Sequence, residues 1–359
     1  MSRVPRASGY FRTDYTQDFA LLQTRSERLA LVLFVAALCG FPYLASTFYL
    51  DLACQVFLAA VGSLSLMLLT GYAGQVSLGH AGLLAAGAFT VGILFREFGA
   101  PFWITLPAAA AIGALLGVIF GLPSLRLRGL YLAISTLALY FVVIYIGGEY
   151  ESTRGFSTGI MVDAPKAGAF VLKGPRVWYF VLLAAAALTL LASVNLLRSR
   201  TGRAWRAIRA HEVVAEALGI AVARYKLLAF VISSALASVA GSLFAYYRGF
   251  VSVEAFSLFL SVQYIAMIII GGMGSLLGAL LGALFVTLFP YLIEALLAKI
   301  PNSQNYADAL FAVDYAAFGV VMIVFLVFEP QGLVGIWRRL QSYFLLWPFK
   351  YRPIAGDRK

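Results

Sequence analysis

The chain has 359 residues, 62% of them hydrophobic and 12% charged, about half the charged share of an ordinary soluble domain. Its net charge of +11 is spread over alternate loops instead of forming one patch, which argues against nucleic acid as a partner. Two histidines in separate segments, His80 and His211, and two isolated cysteines, Cys39 and Cys54, offer no histidine-based metal or haem cluster and no disulfide framework. No phosphate-binding Gly-rich loop with its following Lys is present. The pattern argues against an enzyme, and no metal or cofactor is expected.

In chain order, a polar N-terminal tail (1–28) precedes the first apolar segment, 29–47. That segment lies far from the start and lacks a small-residue cleavage site, so it reads as a spanning helix and not as a secretory signal. Further helices are expected at 51–70, 83–95, 102–121, 130–148 and 177–197, then at 226–247, 258–272, 279–297 and 311–328. Several of these stretches reach the roughly 20 residues that cross a bilayer. In lipid the backbone must satisfy its own hydrogen bonds, so they are helices. The expected fold is all-α: one polytopic membrane domain over 29–336 with about ten spans, followed by a C-terminal tail at 337–359.

Ten crossings put both termini on one side. With that side cytoplasmic, Lys and Arg number 5 in the N-terminal tail, 2 in the 122–129 loop, 7 in 198–226 and 6 in the C-terminal tail, 20 of 27 in all. The excess satisfies the positive-inside rule.

Two segments interrupt the apolar pattern: Gly71-Tyr-Ala-Gly-Gln-Val-Ser-Leu-Gly-His-Ala-Gly82 and Gly271-Gly-Met-Gly-Ser-Leu-Leu-Gly278. Each follows a helix running inward and precedes a short apolar run. Corresponding Gly-interrupted segments in two halves are the pattern of a transporter built from repeats, here parallel ones; Gly-rich helix packing produces the same pattern, and the segments are either re-entrant or kinked. Gly113, Gly117 and Gly121 fall at i, i+4, i+8, as do Gly274, Gly278 and Gly282. Such rows let two helix backbones approach closely in lipid.

The loop 198–226 has helical spacing from Gly202 to Gly219. Ala204, Ala207, Ile208, His211, Val214, Ala215 and Leu218 share one face, with Arg206, Arg209, Glu212 and Glu216 off it. Gly219 stands where a C-cap glycine stops a helix. An amphipathic helix of this kind either lies on the lipid surface or docks in a partner's groove.

Polar residues inside apolar helices are the candidates for a translocation path, because leaving them in lipid is costly. They are Gln55, Ser63, Gln75, Ser77 and His80 in the first half, then Ser135, Thr136 and Gln263. All lack a fixed charge, which suits a carrier that must release its solute. The competing reading for Ser and Thr is a hydrogen bond back to their own helix, and for His80 a structural role at a helix end.

The run Gly-Arg-Ala-Trp-Arg-Ala-Ile-Arg-Ala-His-Glu-Val-Val-Ala-Glu-Ala-Leu-Gly-Ile (202–220) resembles the ATPase-docking loop of branched-chain amino acid ABC-transporter permeases. The resemblance extends through Tyr225-Lys-Leu-Leu-Ala-Phe-Val-Ile-Ser-Ser, Ala240-Gly-Ser-Leu-Phe-Ala, Gly129-Leu-Tyr-Leu-Ala-Ile-Ser-Thr-Leu-Ala, both Gly-rich segments and Phe328-Glu-Pro-Gln-Gly-Leu. It covers roughly residues 50 to 336, not the tails.

The resemblance implies a permease subunit of the bacterial cytoplasmic (inner) membrane. Its partners would be two cytoplasmic ATP-binding subunits, a second related permease and an extracytoplasmic solute-binding protein. Ala215, Glu216, Ala217, Leu218 and Gly219 would form the docking core beside His211 and Glu212, with Arg206 and Arg209 steering electrostatically. The wider importer motif has Glu-Ala-Ala six residues before its glycine, a position held here by Val213. The outer loop 149–176, with Glu149, Glu151 and Arg154 before Gly155-Phe-Ser-Thr-Gly159, would face the binding protein. Branched-chain amino acids are the first expectation for the solute, with other amino acids, urea, short amides and small organic acids behind. A secondary ion-coupled transporter is the alternative class. Such coupling uses intramembrane carboxylates, and those in the predicted helices are few: Glu294 near the outer end of its helix, with Asp51 and Asp314 close to the same surface.

Overall fold

The computed structural model of the chain describes residues 25–125, 127, 129–155, 159–167, 170–297, 307–329 and 331–346. Most of the N-terminal tail, the C-terminal tail beyond residue 346, and Phe156, Ser157 and Thr158 of the outer loop lie outside them. The described residues form thirteen α-helices and four two-residue strands. In the first half of the chain these are α1 (Arg25–Leu44), α2 (Thr47–Leu66), α3 (His80–Phe98), α4 (Phe102–Ser124) and α5 (Leu130–Thr153). The middle holds α6 (Pro175–Arg198), the short α7 (Arg200–Ala210) and α8 (Glu212–Ala217), and the long α9 (Val222–Arg248). After it come α10 (Leu258–Gly271), α11 (Leu276–Leu297), α12 (Ala307–Phe328) and α13 (Gly332–Leu346).

Eight helical segments among the described residues are long and apolar enough to cross a membrane. The sequence led us to expect about ten. The other two expected spans fall in α1 and α12, whose qualifying apolar stretches are the shorter Arg28–Leu44 and Ala316–Phe325. The expected short helix at 83–95 is in fact the 19-residue α3. His80 to Gly82, the end of the first Gly-rich segment, join it and are buried.

Helix ends follow local chemistry. Gly99 and Gly249 take φ values of +60° and +74° and stop α3 and α9 in the left-handed region where a side chain is disfavoured. Pro175 opens α6 at a position where its missing N–H costs nothing.

α9 is the central helix, packed on α4, α3 and α2. The approach of α3 and α9 is reciprocal: a Cβ on Gly87 would strike the Ser238 backbone, and one on Gly241 the Leu84 backbone. In lipid such contact replaces the hydrophobic drive as the source of helix association. Serines add hydrogen bonds across the same seams, Ser238 Oγ to Leu83 O at 2.9 Å and Ser233 Oγ to Ser65 O at 2.8 Å. Gly113, Gly117 and Gly121 of α4 meet α9 at Ser238, at Val231 and Ser234, and at Leu227 and Phe230. Gly278 and Gly282 of α11 meet the Gly271–Gly272 and Met267 backbones of α10. Gly274 is not on that helix row; it stands in the turn before α11 with φ +86°.

The strands pair at one end of the bundle. β1 (Ile160–Met161) and β4 (Phe250–Val251) run antiparallel, extended by Val162 N donating to Gly249 O at 2.9 Å. β2 (Lys166–Ala167) and β3 (Phe170–Val171) form a separate two-stranded hairpin. α7 and α8 lie at the loop joining the other ends of α6 and α9.

Candidate functional site

Two places gather the residues singled out by the sequence: the α7–α8 loop with the Gly-rich breaks beneath it, and a cavity toward the β1–β4 end.

The single helix expected over 202–219 is two helices. His211 is extended (φ −155°, ψ 104°), closing α7 and opening α8. Periodicity runs through this bend, so apolar spacing gave no sign of it. α7 is anchored through one side. Trp205 is fully buried and donates Nε1–H to Tyr225 O at 2.8 Å, and Ala204 and Ile208 are buried beside it. Trp205 had no assigned part in the sequence reading; its place one step from Ala204 and three from Ile208 is the signal that could have found it.

α8 is held by its last turn and by one ion pair. Gly219 N–H donates to Glu216 O and Ile220 N–H to Ala215 O, at 2.9 and 3.0 Å, closing a Schellman motif around Gly219 at φ +82°. Lys226 Nζ meets Glu212 Oε1 at 2.8 Å, with the Lys226 side chain 11% exposed. Ala215, expected in the docking core, packs inward and is buried. Glu216, Ala217 and His211 are exposed. What α8 turns outward is Val213, Val214 and Leu218, at 70%, 55% and 77% exposure. Three large apolar side chains on so short a helix form a compact uncovered patch.

The two arginines expected to steer a partner are exposed and also donate within the chain. Arg206 donates to Leu197 O (2.9 Å), a carbonyl left over where α6 ends, and to Gly202 O (3.1 Å) in the first turn of α7. Arg209 Nη1 donates to Gly71 O. Its side chain also lies against Gly74 and Gly274, where an added Cβ would come within 3.2 and 2.7 Å of it.

Arg209 thus sits on both Gly-rich segments. The first begins as a π-helical turn, Met67–Tyr72, continuous with α2, and Gly74 (φ +74°) then ends it. Single π turns inside helices mark irregular, often functional positions. The second turns at Gly272 (φ +115°) and Gly274. The two touch: Gly274 N–H donates to Met67 Sδ at 3.3 Å.

The polar path candidates divide into groups. Gln75 and Ser77 are buried in the first break, and neither Gln75 Oε1 nor Ser77 Oγ finds a partner among the described residues. Thr136 accepts from Leu78 N at 2.9 Å and donates to Ala133 O at 2.8 Å, a bridge from α5 to the break. Ser135 is half-buried on α5. Ser63 donates to Ala60 O and to Ala279 O on α11. His80 is fully buried, with Nε2 3.0 Å from Gly62 O and 3.3 Å from Ser65 Oγ. A carbonyl only accepts, so the proton sits on Nε2. The ring packs edge-on to Tyr264 at 5.0 Å.

Tyr264 lines a cavity of about 300 Å³ among α2, α3, α9, α10 and α11, where two of these candidates, Gln55 and Gln263, share one space. Gln55 is oriented from both sides: Nε2 donates to Asp51 Oδ2 at 2.7 Å, and Oε1 accepts from Tyr291 OH at 3.2 Å. Asp51 also accepts from Tyr247 OH. Arg248, Tyr264, Thr287 and Tyr291 complete the polar lining. None was visible beforehand, because the wall is assembled from helices far apart in sequence.

Of the outer-loop charges, Arg154 pairs with Glu97 at 3.0 Å and Glu151 Oε1 accepts from Val253 N at 3.2 Å. Glu149 Oε1 is reached by Thr153 Oγ1 at 3.5 Å, a contact within the last turn of α5.

Eight membrane-length apolar helices among the described residues define a multi-pass membrane protein. Residues 48–326 match the family described as branched-chain amino acid transport system / permease component, and the chain belongs to that family of transport permeases. It is 31% identical over 340 residues to the high-affinity branched-chain amino acid transport system permease protein LivM of Escherichia coli (strain K12), covering 88% of this chain and 76% of that protein. A probable branched-chain amino acid transport permease protein LivM of Methanocaldococcus jannaschii is 28% identical over 232 residues, 63% of this chain and 66% of the relative. The autoinducer 2 import system permease protein LsrC of Enterobacter sp. (strain 638) is 31% identical over 193 residues, 53% of each chain. No solved structure matches the chain.

Proposed function

We infer that the chain is the membrane permease subunit of an ATP-driven ABC importer, and that its solute is a branched-chain or other amino acid. On this reading it lies in a bacterial inner membrane with ten crossings, α1 and α12 included, and with both termini cytoplasmic. Two cytoplasmic ATP-binding subunits, a second related permease and an extracytoplasmic solute-binding protein complete the importer, with membrane lipid around it.

The observation that carries this reading is the α8 patch. Val213, Val214 and Leu218 stand exposed on a segment whose other contacts are all spent inside the chain: the buried Trp205, the Glu212–Lys226 pair and the Arg209–Gly71 bond. A small apolar anchor on a rigidly held helix suits a protein groove. The excess of Lys and Arg in the loops on this side supports the orientation. Among amino acid solutes, branched-chain ones are favoured by the named cargo of the LivM relatives.

The test is purification of the tagged chain from native membranes in mild detergent, with identification of the co-purifying proteins. Two ATPase chains and a second permease are expected, and V214D/L218D should release the ATPases. Recovery of the chain alone, with transport intact after reconstitution, would leave an ion-coupled carrier as the reading.

A further inference from the structure

Arg248 closes α9 in its last turn, exposed at the edge of the cavity. Its guanidinium carbon lies 6.0 Å from the ring centroids of Phe244 and of Tyr247, within reach of a cation–π interaction with each. Among the described residues it forms no ion pair with a carboxylate. The nearby acid, Asp51, is committed to Gln55 and Tyr247, so the negative charge on this side is already held by internal donors.

The rest of the wall divides by chemistry. Leu58, Leu84, Phe256, Leu260 and Met267 form an apolar side. Gln55, Gln263, Tyr264 and Tyr291 bring amide and hydroxyl groups. Gln55 is fixed in orientation by its two hydrogen bonds before any ligand arrives. A volume of about 300 Å³ stands at the small end of ligand pockets.

We propose that this cavity is a solute-binding site of the membrane subunit itself, taking a small carboxylate-bearing molecule with an apolar body, its carboxylate on Arg248. The planar guanidinium matches a carboxylate with two parallel donors. The apolar wall receives the hydrocarbon part, and the amide and hydroxyl groups receive a neighbouring ammonium or hydroxyl. The identification of the ligand as an amino acid rests on the importer reading above; the demand for a carboxylate rests on Arg248. A cation in the last turn of a helix also complements the helix dipole. Lysine fills that role equally well but cannot offer the planar pair of donors.

The test uses the complete importer in lipid nanodiscs without its solute-binding protein, with tritiated L-leucine as the probe. Saturable binding is expected, displaced by unlabelled leucine and by its 2-oxo acid, and displaced at least tenfold less well by leucinol, which lacks the carboxylate. R248Q should weaken leucine binding at least tenfold and R248K by a smaller factor, with the melting temperature of R248K unchanged. No saturable binding, equal displacement by leucinol, or R248K binding as tightly as the parent protein would overturn the proposal. The leucinol comparison needs no variant, so a misfolded R248Q does not leave the question open. ATP-driven uptake of leucine by vesicles carrying the complete system is measured alongside. Uptake without carboxylate-dependent binding removes this site and leaves the importer; absent uptake removes the importer, and the displacement series still decides for or against the site.

Discussion

The guanidinium of Arg209 donates to the main-chain carbonyl of Gly71, a residue 138 positions earlier in the chain, while its Nη1 also faces Gly274. One side chain of the α7–α8 loop therefore bears on both interruptions of the membrane helices, and those interruptions bear on each other through Met67. A displacement of α7 would bear first on the two places where the membrane helices are already broken.

On the importer reading, Arg209→Ala should leave the chain folded and the partner ATPases bound, since the α8 patch and the Trp205 anchor are untouched. The lost bond is charge-assisted and contributes about 1.5–3 kcal/mol. Transport per ATP hydrolysed in reconstituted vesicles should fall about tenfold or more, in keeping with that energy. Unchanged coupling would show that the bond carries none of the motion.

Replacements on α8 should divide by direction. V214D or L218D places a charge on an exposed patch and should abolish co-purification of the ATPases with little effect on the melting temperature. A215D buries a carboxylate in a position now 2% exposed. It should lower the yield of monodisperse protein in size-exclusion chromatography, because an unpaired buried charge costs several kcal/mol.

Glu212 and Lys226 supply a third comparison. E212Q leaves Lys226 charged and nearly buried, and breaking such a pair costs about 3–5 kcal/mol. Hydrogen exchange over residues 212–219 should speed up in E212Q. In E212Q/K226M it should return most of the way to the parent rate, because the stranded charge is gone.

The α3–α9 seam gives the fourth. Gly87→Val inserts a side chain where the Ser238 backbone already stands. Overpacking of a close contact costs about 1–3 kcal/mol, and more when backbone must move. A lower melting temperature is expected for G87V, and a smaller drop for G99A, where the space is open and only the left-handed backbone at φ +60° is strained.

Apolar windows of membrane length placed nearly every helix in register, because in lipid length and hydropathy are the controlling variables. The two breaks were legible as glycine clusters. Their contact was not, since it arises from the folding of α2 and α10 onto each other. Within 198–226, composition carried the amphipathic character, while the bend at His211 left no trace in the spacing. Basic residues on a helix ordinarily read as solvated or partner-facing. Arg206 and Arg209 stay exposed, yet their guanidinium groups donate to Leu197 O at the end of α6 and to Gly71 O of the π turn, carbonyls that need donors. The cavity was legible only as Gln55 and Gln263, two amides among apolar neighbours; its cation, Arg248, looked like an ordinary residue closing a helix.

The pairing of Ile160–Met161 with Phe250–Val251 has a consequence for how this family member can vary. A long excursion between α5 and α6 would ordinarily tolerate insertion anywhere along its length. Here the ladder stitches its middle to the end of α9, with Ile160 and Val251 fully buried and Met161 65% exposed. A slip of one residue would exchange those two faces. The excursion is therefore pinned at Ile160 and Met161, and changes of length belong on either side of the stitch, never within it.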